Sequence, residues 1–545
     1  MKNKRKSLRF GLMINSLTIE QWQYDTIKIL MDNGMKLSLI IQKNEAFNPF
    51  HVSDRTERKG LRHLTYRLWD NFLFHPRSKF PADIDRITDG IPTIFCIPNI
   101  RNGVTYFNEL DIQEIRNQNL DFILQFGFEI VAGEVINTTR YGVWRFNHGD
   151  SFWTFLKGEH CNNVSLQRLS GNKDKEIFLK TIRLKTILHS YKAHLEQIHY
   201  ACSILPLQVC RELLNSNTLK ESIHEATSEH HHLPNDLQMI QYYIKSVWRR
   251  VAFHLNDLFL QEDWNIGFCD CNIEKFISAE DKESLNIQWF KKPRKNCYFA
   301  DPFIIKSHKD TYIFFEWYSY PKGKADIAVA LKSENFEVFH KLTSFKEHRS
   351  YPYIFEHEGV IYCLPEANQT NKATLYRFDE EKLTFEEDCI LLEGFPIVDA
   401  TLYHRDSKWF MFLVNQKKSH THLEIYHSDN LKGPYLPHDS NPVAIDCSKA
   451  RPAGKIFDHQ GKAIRPSQNC TEHYGQSITL EEISTLTDKL FATKEYGTIE
   501  PIKGSDYDKG IHTINNDGGI TVFDGKRFIF TFSGFKQQLK QKIRK

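Results

Sequence analysis

Apolar and polar positions alternate along this chain in two rhythms. In the N-terminal third, the continuous apolar run Leu8–Ile14 is followed by Leu17, Trp22, Ile27, Leu30 and Met31 near helical spacing, with Gly34 as a stop. The next apolar run is Lys36–Gln42. Strand, helix, strand is the opening of a parallel α/β sheet. Leu120–Gly127 reads as a further buried strand, and Tyr141–Asp150 ends in a polar cluster, where open α/β sheets place their ligands. The turn after the first strand lacks G-x-G-x-x-G, which excludes a standard dinucleotide fingerprint. Residues 191–262 carry apolar positions at three- and four-residue spacing, predicting two or three helices that join the halves.

From residue 263 onward the rhythm becomes β-hairpins repeating at about fifty residues. Asp301-Pro302-Phe303-Ile304-Ile305 crosses a polar turn to Tyr312–Glu316. Tyr351-Pro352-Tyr353-Ile354-Phe355 does the same toward Ile361–Glu366. Asp399–Tyr403 leads to Trp409–Phe412, a fourth copy begins at Arg451, and a weaker fifth begins at His512. Such a period predicts a five-bladed propeller, with Trp264–Cys271 as the outer strand that completes the last blade. The start of a blade's first strand and the end of its second share a rim. Asp301, Glu316, Glu366, Asp399, Arg451 and His512 are therefore expected around one mouth, a ring suited to a polyhydroxylated or phosphorylated ligand. Arg349, just ahead of the second copy, joins them as a substrate-binding candidate.

Composition narrows the classes. The chain has 545 residues, too many for one core. Its 71 basic and 68 acidic residues nearly cancel, which argues against a nucleic-acid binder. Eleven scattered cysteines read as buried thiols in a reducing compartment, and Cys269 and Cys271 lack the second pair of a zinc site. His230, His231 and His232 read as a solvated loop, so no metal is expected. The basic start is followed by too short an apolar run for a signal peptide, and no window approaches a membrane span. The expectation is a cytoplasmic protein, with a short solvated basic tail at its C-terminus.

Two resemblances sharpen the reading. "DFILQFGFEIVAGEVINTTRYGVWRFNHGD" followed by "VSLQRLSGNKDKEIFLKTI" resembles the N-terminal domain of the formyltransferase family, over roughly residues 8–190. The resemblance implies a Rossmann-like sheet and formyl transfer from 10-formyltetrahydrofolate to an amine. It carries the family's histidine to His148 and its aspartate to Asp174, with Asn147 and Asp150 as nearby binding candidates. Phe146 stands where the family has its asparagine. The repeats resemble the five-bladed family 43 glycoside hydrolases. "RPAGKIF", "AIRPSQNCTEHYGQSI" and "GIHTINNDGGITVFDG" bring them closer to the N-terminal domain of glucosamine inositolphosphorylceramide transferase. The hydrolase resemblance implies that Asp301 is a general base and that Asp399 tunes and orients the acid. Those hydrolases keep the acid glutamate in the fourth blade, which here begins Arg451-Pro452-Ala453; Glu366 is the inferred substitute. Carboxyls about 6.5–9.5 Å apart would imply inversion, and about 5–5.5 Å retention.

The expected organisation is an α/β formyltransferase-like domain over 1–190, a helical segment over 191–262 and an all-β propeller over 263–545. The leading functional expectation is one-carbon transfer to an amino sugar, with the propeller holding a sugar, nucleotide-sugar or glycan ligand. The alternatives are glycosidic bond hydrolysis or transfer by the propeller's carboxylates, with Glu366 or Glu316 as acid, and a non-catalytic glycan-binding scaffold.

Overall fold

The computed structural model describes residues 7–44, 63–101, 103–171, 175–225, 233–279, 282–292, 296–342, 345–418 and 421–544. The chain divides into two compact units, Met1–Arg250 and Val251–Lys545. Asp174 and the three consecutive histidines lie outside the described residues.

The first unit is built on an eight-stranded mixed sheet. Arg9–Ile14 lies between Lys36–Lys43 and Phe122–Gln125; Thr93–Cys96 and Val143–Asn147 extend the parallel run on either side. Cys161–Arg168, Lys175–Lys185 and Ser222–Glu225 then add in antiparallel order. The central strands are apolar without alternation because both faces are covered, and Leu12, Met13, Leu39, Ile41, Ile123 and Leu124 are fully buried. Helix Gln21–Asp32 buries Trp22, Thr26, Ile27 and Leu30, begins with a Glu20–Gln23 capping box and ends before Gly34, whose φ is +84°. Helices Tyr191–Ser203 and Leu205–Ser216 pack against that first helix. Because Ser222–Glu225 joins the sheet edge, residues 191–225 belong to this unit's fold and do not form a free-standing connector. The sheet is mixed with helices around it; that much of the anticipated α/β class is present.

The second unit consists of five antiparallel sheets, the blades of a propeller. Blade 1 runs through Cys297–Lys306, Thr311–Ser319, Lys324–Leu331 and Phe339–Leu342; blade 2 spans Ser350–His357 to Thr384–Glu393. Blade 3 begins at Ile397–Arg405, and blade 4 covers Phe457–His459 to Phe491–Ile499. Blade 5 combines Ile514–Asp517 and Ile520–Ile529 with two strands from the start of the unit, Gln261–Cys269 and Gln288–Trp289. Gln261–Cys269 pairs along its whole length with Ile520–Ile529, from Gln261 opposite Ile529 to Cys269 opposite Thr521. It is the third strand of its blade; Gln288–Trp289, not the expected segment, is the outermost. This closure leaves no first-to-last sheet edge unpaired. Aromatic side chains fill the space between blades, among them Phe303, Phe314, Tyr353, Phe378 and Phe385. Each such ring contributes roughly 1.5–3 kcal/mol on burial.

The eleven cysteines are free thiols. The C-terminal basic stretch lies in a helix, Phe532–Arg544, on which Lys536 and Lys540 are exposed. Among the described residues, no helix is long and apolar enough to cross a membrane.

Candidate active site

The innermost strands of blades 1, 2 and 3 share one irregularity. In each, two residues oppose a single residue on the second strand: Asp301 and Pro302, Tyr351 and Pro352, Asp399 and Ala400. The first residue of each bulge has a positive φ: 52° at Asp301, 42° at Tyr351 and 51° at Asp399. Such a conformation costs about 1–3 kcal/mol at a residue with a β-carbon and is retained where it re-aims a side chain. The bulges turn these three side chains into one buried cluster. The same register sets Glu316 opposite Ala300 and Glu366 opposite Ser350, beside the bulges of blades 1 and 2.

Asp301 is held on all sides. Its Oδ1 lies 3.2 Å from His512 Nε2 and accepts a hydrogen bond from Thr513 Oγ1 at 2.9 Å. Its Oδ2 accepts from the Tyr351 amide at 3.2 Å. His512 Nδ1 forms an ion pair with Asp524 Oδ2 at 2.7 Å. Asp524 also accepts from the amides of Asp301, His512 and Thr513. Burial opposes the His512 cation, but Asp524 and Asp301 raise its pKa to about 10. Burial likewise opposes the Asp301 anion, and His512, Thr513 and Arg451 outweigh it, holding the carboxyl below the usual aspartate range.

Asp399 forms the other half of the cluster. It is paired with Arg451 Nε and accepts from Gln468 Nε2 at 2.9 Å, while its amide faces Glu366 Oε2 at 3.4 Å. The Arg451 guanidinium lies over the Tyr474 ring at 5.0 Å, and Trp264 packs 4.0 Å from the His512 ring. The two glutamates differ from the aspartates. Among the described residues neither Glu316 nor Glu366 forms an ion pair. Burial, then Asp301 and Glu366, pushes Glu316 well above the usual range; Tyr298 Oη reaches it at 3.5 Å. Burial, then Asp399, does the same to Glu366.

The structure thus brings Asp301, Glu316, Glu366, Asp399, Arg451 and His512 together. Arg349 is buried, but its guanidinium is engaged by the His348 carbonyl, Glu347 and the Phe345 ring. Asp524, Thr513 and Gln468 were not anticipated. The signal for Asp524 was present: an acid directly after the β-prone run Ile520-Thr521-Val522-Phe523. Asp301, His512 and Asp524 place ligand atoms within 4.8 Å of one another. A metal needs a neutral imidazole. Here each ring nitrogen faces its own carboxylate, and those two carboxylates raise the pKa of His512, which favours an ion-paired triad.

The first unit presents a different picture. His148 Nε2 is buried without a hydrogen-bond partner, although other atoms of the residue remain partly accessible. Trp22 lies 5.0 Å from the ring, His199 5.0 Å and Phe146 6.2 Å. Burial, with Lys79 nearby, lowers His148 to about 4. Asn147 Oδ1 accepts from the Gly149 amide at 2.9 Å, and Asp150 is exposed at the start of helix Ser151–Lys157. Formyl transfer requires donors aimed at an oxyanion. His148 caged by aromatics and Asn147 turned into its own loop do not fit a formyl-folate centre. A cavity of about 350 Å³ does open at the carboxyl ends of the parallel strands, lined by Asn15, Ser16, Glu20, Gln23, Lys79 and Phe126.

Comparison with known proteins places the similarity in the second unit. The family described as glucosamine inositolphosphorylceramide transferase 1, N-terminal, matches residues 290–518, a span that holds every member of the cluster except Asp524. Glucosamine inositolphosphorylceramide transferase 1 of Oryza sativa subsp. japonica is 28% identical over 265 residues, covering 44% of this chain and 36% of the relative. The Arabidopsis thaliana protein of that name is 28% identical over 207 residues, covering 36% of this chain and 27% of its own length. The chain therefore spans about a third of the curated relatives it matches. Among solved structures, an exo-β-1,3-galactanase from Clostridium thermocellum aligns at a TM-score of 0.32 and 12% identity, covering 40% of this chain and 55% of that one. A thermostable family-43 glycoside hydrolase aligns at 0.30 and 12%, covering 37% and 76%. The similarity of this chain is to carbohydrate-related proteins, and it lies in the propeller unit.

Proposed function

We propose that the propeller unit makes or breaks a glycosidic bond. One observation carries this reading: four carboxyls share a buried cluster in which His512 pairs with Asp301 and Arg451 with Asp399, while Glu316 and Glu366 form no ion pair among the described residues and are pushed up by burial and their acidic neighbours. Neighbouring carboxyls whose environments drive their protonation apart are what acid–base chemistry at a glycosidic oxygen requires. Asp301, kept ionised, is the base or nucleophile. Glu366 or Glu316, kept protonated, donates to the leaving oxygen. Asp399, fixed by Arg451 and Gln468, orients the acid. The name of the curated relatives supports transfer of an amino sugar to an inositol-phosphate lipid as the reaction to try first.

The test is turnover of nucleotide sugars and aryl glycosides by the full chain, compared with Asp301→Asn and His148→Ala. The reading expects product from the wild type and from His148→Ala, and a loss of about 10²–10⁴-fold in Asp301→Asn. Turnover that survives Asp301→Asn contradicts it. Sugar binding with no turnover in any of the three proteins would make the cluster a recognition site.

A further inference from the structure

The C-terminal helix Phe532–Arg544 is mounted with its apolar face outward. Gln537 Nε2 donates to Tyr318 Oη at 3.0 Å, Ser533 Oγ donates to Asn296 Oδ1 at 3.0 Å, and Lys542 pairs with Asp257 at 2.9 Å, so polar side chains hold the helix to the blades. Phe532, Leu539 and Ile543 point to solvent; Phe532 is 75% exposed and Ile543 76%. A surface helix ordinarily buries this face. The apolar patch continues beyond the helix. Phe535 lies 5.5 Å from Phe259, 6.4 Å from Phe530 and 6.5 Å from Phe532, and Phe259, Phe530, Leu260 and Phe528 are themselves exposed. Contiguous exposed apolar surface of this kind marks an interaction site.

Charge selects the occupant. Exposed Lys536 and Lys540 flank the apolar side chains, and the segment 530–544 contains no aspartate or glutamate. We propose that this face docks on an anionic lipid surface, with the phenylalanines and Ile543 entering the headgroup boundary and the lysines meeting lipid phosphates. Apolar side chains bordered by cations are the mark of a helix that lies on a membrane without crossing it. A cavity of about 740 Å³ opens beside the patch, lined by Leu260, Phe528, Tyr298 and Tyr318 together with the acidic Glu262 and Glu472. The docking stands independently of the reaction proposed above.

The test is co-sedimentation of the full chain with phosphatidylcholine vesicles and with vesicles containing phosphatidylserine. The proposal expects binding to the anionic vesicles that weakens as salt rises. Phe532→Asp with Ile543→Asp, and separately Lys536→Glu with Lys540→Glu, should each reduce it by about tenfold or more. These side chains are exposed, so an unchanged melting temperature confirms that the variants fold. Three outcomes would overturn the proposal: no sedimentation with anionic vesicles, equal binding to both vesicle types, or self-association of the wild type that the Phe532/Ile543 pair abolishes. The last would assign the face to a second copy of the chain.

Discussion

His512 Nε2 stands 3.2 Å from Asp301 Oδ1, joining the last blade to the first at the point where the ring closes. This contact is both a structural clasp and the largest favourable contribution to keeping Asp301 ionised, ahead of Thr513 and Arg451. Its loss should be felt in stability and in activity together. His512→Ala leaves Asp301 and Asp524 buried without their cation, at a cost of about 3–5 kcal/mol. Denaturant unfolding would show it as a lower midpoint with an unchanged slope.

The same contact makes stability depend on pH. The folded pKa of His512, about 10, lies above its ordinary 6.5. Its stabilisation is therefore complete below about 6.5, shrinks as pH rises and is gone above about 10. Asp301 is shifted down, so its contribution is present above the ordinary 3.8 and lost as pH falls through its lowered folded value. Melting temperature should decline from neutral toward pH 10, and His512→Ala should flatten that decline. An equal decline in both proteins would place the sensitivity elsewhere.

The two glutamates can be told apart by leaving group. Glu366→Gln and Glu316→Gln should each be tested on a glycoside with a poor leaving group and on one with a good leaving group. Whichever residue is the acid should lose about 10²–10⁴-fold on the poor one and much less on the good one. The other should lose a similar, smaller amount on both.

Tyr351 occupies the bulge of blade 2 where blades 1 and 3 carry Asp301 and Asp399, and its hydroxyl ties the ring together. It lies 2.9 Å from Thr401 Oγ1 and accepts from the buried Gly454 amide at 2.8 Å. Tyr351→Phe should cost about 1–3 kcal/mol, because that amide is left unsatisfied. Thermal unfolding reads this directly.

Much of the second unit was legible because a propeller repeats its own pattern. The Asp-Pro and Tyr-Pro starts with their following glutamates mark successive blades, and alternation along each hairpin places both ends on one rim. The bulges were not legible: nothing in Asp399-Ala400 announces a positive φ, which depends on pairing with the neighbouring strand. Nor was the partnering of Arg451 with Asp399, which needs two neighbouring blades packed together, or of His512 with Asp524, which depends on the register of the last blade's own hairpin. Asp524 was passed over because it sits within a strand and not at a strand start. In the first unit, the Arg9–Ile14 and Lys36–Lys43 strands followed from their apolar runs. The surroundings of His148 did not, because Trp22 and His199 reach it from distant helices.

The account depends on Asp301 being ionised while Glu316 and Glu366 are protonated inside one cluster. Infrared or carboxyl-labelled NMR spectroscopy of the full chain at neutral pH measures this most directly. The account predicts protonated carboxyl signals that disappear in Glu316→Gln and Glu366→Gln, one with each. A spectrum with every carboxyl ionised at neutral pH, or protonated signals that survive both glutamine variants, would contradict it.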